Sequence, residues 1–376
     1  MKKINIITIL YFSVFLFFSY SCSKTGGLFG GKKVYEGDIS LRYQSEVNAF
    51  VKKGYTEVTG NLDIIGFASE RPGEKLINNL SGFDNLKKVG GLFSINKFQN
   101  IPNLNSFKNL EFVGGTFAIL LNGGLTNLDD FLNLKSVGGV QIGQNENLQN
   151  IDGLINLESL TLIAVGDNPN LLNLDGLSGL TVGEIMRISL LRNDKLISLG
   201  NFETLTTVNT IQIIDNPSLE SLDGLENLIS LGALELINNG IDNISALSKG
   251  VGFIRTLKIK GNHQLESLNG LNGFTTATRL EIAENDILVD LNGLESLNRV
   301  EEVMRIRLND ALLSLDGLDN IEYLSNLLEI SSNPNLVDLC AIKPIVDNGL
   351  IESKYSVFIN NYNPTYADMQ AGNCSL

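Results

Sequence analysis

Apolar residues recur along most of this chain in two alternating rhythms. Short segments alternate with period 2, as in Val140-Gln-Ile142, Leu257-Lys-Ile259, Leu280-Glu-Ile282 and Leu328-Glu-Ile330, which predicts a short strand with one apolar face. A segment of the form L-x-x-L-x-G-L then follows, with apolar residues three apart. Its final apolar residue falls at Phe83, Phe107, Phe131, Leu154, Leu177, Phe202, Leu225, Leu247, Leu271, Leu294, Leu318 and Ile342, at intervals of 22 to 25 residues. Leu or Ile stands three residues before all twelve, from Leu80 to Leu339, and six before all twelve, from Ile77 to Leu336. Two columns filled this completely mean one unit repeated about every 23.5 residues.

Nine residues before the same anchor, ten of the twelve units carry Asn: Asn122, Asn145, Asn168, Asn193, Asn216, Asn238, Asn262, Asn285, Asn309 and Asn333. The first two units have Glu74 and Phe98 instead, and in the eighth the strand register favours Asn239 over Asn238. A chain that turns away from its strand leaves N–H and C=O groups facing inward, each costing about 1–3 kcal/mol if unpaired. A carboxamide supplies both a donor and an acceptor, so Asn stacked once per unit predicts a structural ladder. The leucines bury about 1.5–3 kcal/mol apiece, offset by chain entropy, so no unit stands alone and the array must fold together. The fold expected is a mainly β, right-handed solenoid with one short parallel strand per unit over residues 62–342. At about 4.8 Å per strand, twelve units give a face roughly 55 Å long.

The strand positions between the core residues point the other way. Counting four back from the ladder gives Ser94, Ala118, Gln141, Ala164, Ser189 and Gln212, then the alternating charges Glu235, Lys258, Glu281, Arg305 and Glu329. The charged half is expected to pair with itself along neighbouring strands. Counting two back gives Asn96, Leu120, Gly143, Gly166, Leu191, Ile214 and Ile237. Ala118, Leu120, Gln141, Gly143, Ala164, Gly166, Ser189, Leu191, Gln212 and Ile214 together make an uncharged strip, the candidate partner surface. On this reading a large charged side chain at Gly166 projects outward and leaves folding intact.

The repeat L-x-I-x-x-N-x-x-L-x-x-L-x-G-L-x-N-L-x-x-V, nearly complete in VQIGQNENLQNIDGLINLESL (residues 140–160), resembles leucine-rich repeats of the receptor L-domain type. The pairs Gly90-Gly91, Gly114-Gly115 and Gly138-Gly139, each after a Val, match that family's lead into the next strand. The resemblance covers about 280 residues and implies a binding module without catalysis. An open solenoid needs its ends covered. GDISLRYQSEVNAFVKKGYTEVTGNL (residues 37–62) places Ser45 as N-cap of an amphipathic helix carrying Val47, Phe50 and Val51. That stretch is similar to the lead-in of leucine-rich lipoproteins of Bacteroidota, and the tail, with Leu339-Cys-Ala-Ile342, Tyr362-Asn-Pro-Thr365 and Gly372-Asn-Cys374, resembles their C-terminal cap.

The N-terminus reads as an address. Lys2 and Lys3 precede an apolar run over residues 4–18, then Ser19, Tyr20, Ser21 and Cys22. The run is short for a spanning helix, which needs about 20 residues, and a small residue before Cys fits lipoprotein signal cleavage. The organisation expected is therefore a signal peptide (1–21), acylated Cys22 with a Gly/Ser/Lys tether (22–36), an N-terminal cap (37–61), the solenoid (62–342) and a C-terminal cap (343–376). The membrane partner is reached through the lipid. The expected location is the cell envelope, at the outer membrane.

Composition removes other classes. With 28 Lys plus Arg against 42 Asp plus Glu, a net charge of -14, no nucleic acid is expected as a partner. GGLFGGKK (residues 26–33) nearly spells a phosphate-binding loop, but Lys33 replaces the Ser or Thr that would hold magnesium and no strand precedes it. The single His, His263, sits in a turn beside Asn262, so no nucleophile has a base. Cys340 and Cys374, left over in an exported chain, point to a disulfide rather than to a thiolate or a metal site. No cofactor and no metal are expected. The function expected is recognition of a protein or glycan through the strand face, the alternative being a structural spacer of the envelope.

Overall fold

The computed structural model describes residues 32–67, 71–100 and 104–376. The segment expected to be a signal peptide, Cys22 and most of the expected tether lie outside the described residues. Nineteen strands form one parallel sheet that is not closed into a barrel. In chain order they are β1 (Val34–Tyr35), β2 (Ile39–Leu41), β3 (Glu57–Val58), β4 (Leu62–Ile65), β5 (Lys88–Val89), β6 (Phe93–Asn96), β7 (Phe112–Leu120), β8 (Ser136–Gly143), β9 (Leu162–Gly166), β10 (Glu184–Leu191), β11 (Thr207–Ile214), β12 (Ser230–Leu231), β13 (Ala233–Ile237), β14 (Gly252–Lys260), β15 (Phe274–Ala283), β16 (Arg299–Arg307), β17 (Tyr323–Leu324), β18 (Leu327–Ser331) and β19 (Tyr355–Phe358). Helices among the described residues are few and short: α1 (Gln44–Lys53), α2 (Lys343–Asp347) and α3 (Tyr366–Ala371), with several single 3-10 turns.

The pairing follows the sequence period. Val140 of β8 lies opposite Ile163 of β9, Ile163 opposite Ile188 of β10, and Ile188 opposite Ile211 of β11. Like positions therefore meet like positions, and every period-2 apolar column becomes a stack. The return segments stack in the same way. Anchors Phe107, Phe131, Leu154, Leu177, Leu247 and Ile342 each end a 3-10 turn, and all are buried. In the first units the stack is aromatic: Phe83 and Phe107 lie 4.7 Å apart centroid to centroid, and Phe117 meets Phe131 edge-on at 4.8 Å. From Leu154 onward the anchors are leucine, apart from Phe202 and Ile342.

Close approach of neighbouring units explains two glycine columns. A Cβ at Gly114 would collide with the Gly90 carbonyl oxygen, and one at Gly317, whose φ is +102°, with the carbonyl of Leu291. The Val-Gly-Gly and L-x-G-L columns are thus spacing requirements rather than hinges.

Both ends carry further structure. Helix α1 starts from Tyr43, not Ser45: the Tyr43 N–H donates to the Glu46 carboxylate at 3.2 Å, and Ser45 already lies in the first turn, with its hydroxyl on Glu74. Glu46 reaches back to the chain at the helix start, so the acid immediately before buried Val47 takes the place of a hydroxyl cap. Val47 and Phe50 face the core and Gly54, in the left-handed region, ends the helix. At the other end Cys340 and Cys374 form a disulfide with a Cα separation of 4.8 Å. Beside it the Leu339 N–H donates to the Cys374 carbonyl at 2.9 Å, and the Tyr362 hydroxyl to the Asn373 carbonyl at 3.0 Å. Burial pushes the Tyr355 phenol above its ordinary value while it donates to the Pro364 carbonyl at 2.9 Å.

Candidate binding face

The asparagine column is a continuous hydrogen-bonded ladder. Each Oδ1 accepts the backbone N–H of the ladder residue one unit earlier, at 3.0–3.2 Å, from Phe98 N–H on Asn122 through Asn145, Asn168, Asn193, Asn216, Asn239, Asn262, Asn285 and Asn309 to Asn333. Each Nδ2 donates to the carbonyl of the last core residue of the preceding strand: Asn145 to Ile119 at 2.9 Å, Asn168 to Ile142 at 3.1 Å, Asn193 to Val165 at 3.1 Å. Asn239, not Asn238, takes the eighth rung. All rungs from Asn122 to Asn333 are buried, so every inward backbone group at this corner has a partner.

Sequence reasoning missed three features here. The ladder runs one rung further, because Asn333 N–H donates to Asn360 Oδ1 at 3.0 Å, and Asn363 closes it by accepting Asn360 N–H at 2.9 Å. The signal was present: Tyr355-Ser-Val357-Phe-Ile-Asn360 repeats Leu328-Glu-Ile330-Ser-Ser-Asn333 in register, hidden by a 27-residue interval. Secondly, the residue before each rung lies in the left-handed region. Lys97, Leu121, Gln144, Asp167, Arg192, Asp215, Asn238, Glu284, Leu308, Ser332 and Ile359 all have φ between 54° and 61°, and the twelfth such residue is Gly261. Thirdly, exposed amides tie neighbouring turns together, as where Asn133 Nδ2 reaches the Lys108 carbonyl at 2.7 Å and Asn156 the Leu132 carbonyl at 2.8 Å.

The outward rows fall in the expected register. Ala118, Gln141, Ala164, Ser189 and Gln212 are successive partners from β7 to β11, as are Leu120, Gly143, Gly166, Leu191 and Ile214. Exposure within the rows is uneven. Ala118, Ala164 and Ser189 are 2%, 5% and 6% exposed, so these small side chains are covered by their neighbours. The reachable surface comes from Leu120, Gln141, Gly143, Gly166, Leu191, Gln212 and Ile214, all partly exposed. The expectation for Gly166 needs correcting. A Cβ there would sit 3.1 Å from the Leu191 carbonyl oxygen, and one at Gly143 3.3 Å from that of Gly166. Both glycines admit close strand approach, so a large side chain at Gly166 tests packing before it tests binding.

Towards the C-terminal half the same rows carry charge that is mostly paired along the sheet, although Arg307 Nε is buried without a hydrogen-bond partner. Glu281 receives Lys258 Nζ at 3.1 Å and Arg307 at 2.8 Å, Arg305 meets Glu329 at 3.1 Å, and Lys260 meets Glu284 at 3.2 Å. Burial alone would raise the Glu281 carboxyl, but hydrogen bonds from Arg307 and Lys258 outweigh it and hold it below the usual carboxylate range. The same pair raises Arg307. His263 is exposed, and its Nδ1 lies 2.9 Å from Asp286. Among the described residues no three His, Cys, Asp or Glu side chains converge to hold a metal ion, and no helix is long and apolar enough to cross a membrane. Compared with known families and with curated proteins, the chain matches no family model and no curated sequence.

Proposed function

We propose that this chain is a capped leucine-rich-repeat coil of the receptor L-domain type, right-handed and of about twelve repeats, held in the cell envelope by acylated Cys22. On this reading it recognises a protein or glycan through its sheet face and performs no catalysis. The observation that carries the reading is the charge distribution on that face. From β7 to β11 the two outward rows hold no charged residue, whereas from β13 onward they hold charges, most of them in ion pairs along the sheet, with Glu235 accepting from Gln212 at 3.1 Å. A chain of net charge -14 that keeps these two rows free of charge across five consecutive strands, with the exposed Glu184 and Arg187 of β10 lying outside them, leaves a strip whose desolvation is inexpensive for a partner.

The test places charge where the strand packing tolerates it. Gln141→Arg adds a long side chain between Ala118 and Ala164, and Ile214→Arg adds one beside Leu191. Affinity capture from envelope extract with wild type and both variants, each checked by thermal melting, is expected to lose the same partner in both. Identical partner sets from equally stable proteins sink the sheet-face reading. The self-satisfied ion pairs of the later strands favour the second reading, an envelope spacer, and that result would select it.

A further inference from the structure

The geometry points to a second site, a saccharide-binding groove on the turns that follow β4, β6, β7 and β8. The groove is shallow and open to solvent, with about 630 Å3 of space above it, and none of its lining residues belongs to the two outward rows of the sheet, so it stands independently of the sheet-face reading. That volume lies within the ~300–1,000 Å3 of small-ligand pockets, enough for a short oligosaccharide.

Its chemistry is divided between an apolar platform and a rim of amides. Phe67 is 69% exposed and no ring or cation among the described residues lies against it; Leu121, on the turn two strands along in the same groove, is 43% exposed. Exposing an aromatic face of this size has a free-energy cost that the fold does not recover. Gln99, Asn100 and Gln144 are exposed in the same groove, and their side chains make no hydrogen bond among the described residues. Each amide offers a donor and an acceptor, matching a hydroxyl, which is also both. A sugar ring presents C–H groups on its face and hydroxyls on its rim, so a ring laid on Phe67 turns its edge to Gln99 and Asn100 of the next turn, while Gln144, three strands further along at about 4.8 Å each, would meet a later ring of the same chain.

Other ligand classes fit less well. One cation, Lys97, and one anion, Glu146, line the groove, so its charge is balanced and a polyanion gains nothing there. An extended peptide added as a strand needs free backbone groups, but the turns have used theirs. Lys97 N–H is bonded to the Leu120 carbonyl at 3.1 Å, Leu121 to Gly143 at 2.9 Å, Gln144 to Gly166 at 3.0 Å, and Gly123 to Phe98 at 3.0 Å. These bonds, with the ladder contact from Phe98 N–H to Asn122 at 3.2 Å, also hold the floor in place before a ligand arrives.

The experiment uses the purified chain and a panel of neutral trisaccharides (cellotriose, maltotriose, chitotriose, mannotriose and xylotriose), read by saturation-transfer NMR and calorimetry. At least one is expected to bind. Phe67→Ala should weaken that binding by about tenfold or more, as loss of a central aromatic contact does, at an unchanged melting temperature. Phe67→Tyr should retain it, and Gln144→Ala should weaken it with the fold intact. No binding across the panel, or undiminished binding by Phe67→Ala, overturns the proposal. Gln141→Arg separates the two sites: if it abolishes saccharide binding and Phe67→Ala does not, the ligand belongs to the sheet face and the groove is refuted.

Discussion

Asn193→Leu removes one rung from the middle of the ladder while nearly preserving side-chain volume. In the native chain Asn193 Oδ1 accepts Asn168 N–H at 3.2 Å and Asn168 Nδ2 at 3.3 Å, and its Nδ2 donates to the Val165 carbonyl at 3.1 Å and to Asn216 Oδ1 at 3.1 Å. The neighbouring amides survive the loss. Asn168 Nδ2 keeps the Ile142 and Gly166 carbonyls, and Asn216 Oδ1 keeps Asn193 N–H. The backbone groups of Asn168 and Val165 lose these partners in a fully buried site, at about 1–3 kcal/mol each. The added apolar surface of Leu returns part of that, so the net destabilisation expected is about 2–4 kcal/mol. With an unfolding entropy of roughly 0.7 kcal/mol per kelvin for a chain of this size, the melting temperature should fall by about 3–6 °C if the array unfolds as one. Exposed Asn335, whose Nδ2 reaches the Asp310 carbonyl at 2.8 Å, is the control. Water replaces its bond, so Asn335→Leu should cost under about 1 kcal/mol. Equal shifts for the two variants, or none for Asn193→Leu, would show that burial of the paired backbone groups is not what the ladder provides.

Three further outcomes are expected. Breaking the disulfide by Cys340→Ala, which opens a loop with a sequence separation of 34, should lower stability by roughly 2–4 kcal/mol; a reductant that leaves wild-type denaturation unchanged would contradict this. Glu281→Gln should be less stable than wild type at neutral pH. Because the folded carboxyl titrates below its unfolded value, its contribution is present above the ordinary carboxylate pKa and fades as pH falls through the folded one. The difference between the proteins should therefore shrink below about pH 4, and a gap that widens with acid reverses the assigned sign. Cys22→Ala should abolish metabolic acyl labelling that the wild type shows; equal labelling removes the anchor from the proposal.

Positions whose identity is dictated by a contact repeated in every unit were legible in one sequence. The core columns from Ile77 to Leu339 and the rungs from Asn122 to Asn333 recur because each unit meets its neighbour at the same atoms. Even the Asn238 and Asn239 ambiguity yielded to strand register. Where the deciding contact is not periodic, or lies in the backbone, the residues carry no common mark. The left-handed residue before each rung is Lys, Leu, Gln, Asp, Arg, Asn, Gly, Glu, Ser or Ile by turns, because strand pairing and the ladder impose that conformation on whatever side chain stands there, for all but the glycine against an intrinsic preference of about 1–2 kcal/mol. Burial of Ala118 and Ala164 depends on how far neighbouring strands reach across them, and the tolerance of Gly166 on one carbonyl of Leu191. Nothing in local sequence encodes either. The groove of Phe67, Gln99, Leu121 and Gln144 draws on four turns up to 77 residues apart, so only the stacking of those turns, set by tertiary packing, brings its chemistry to one place.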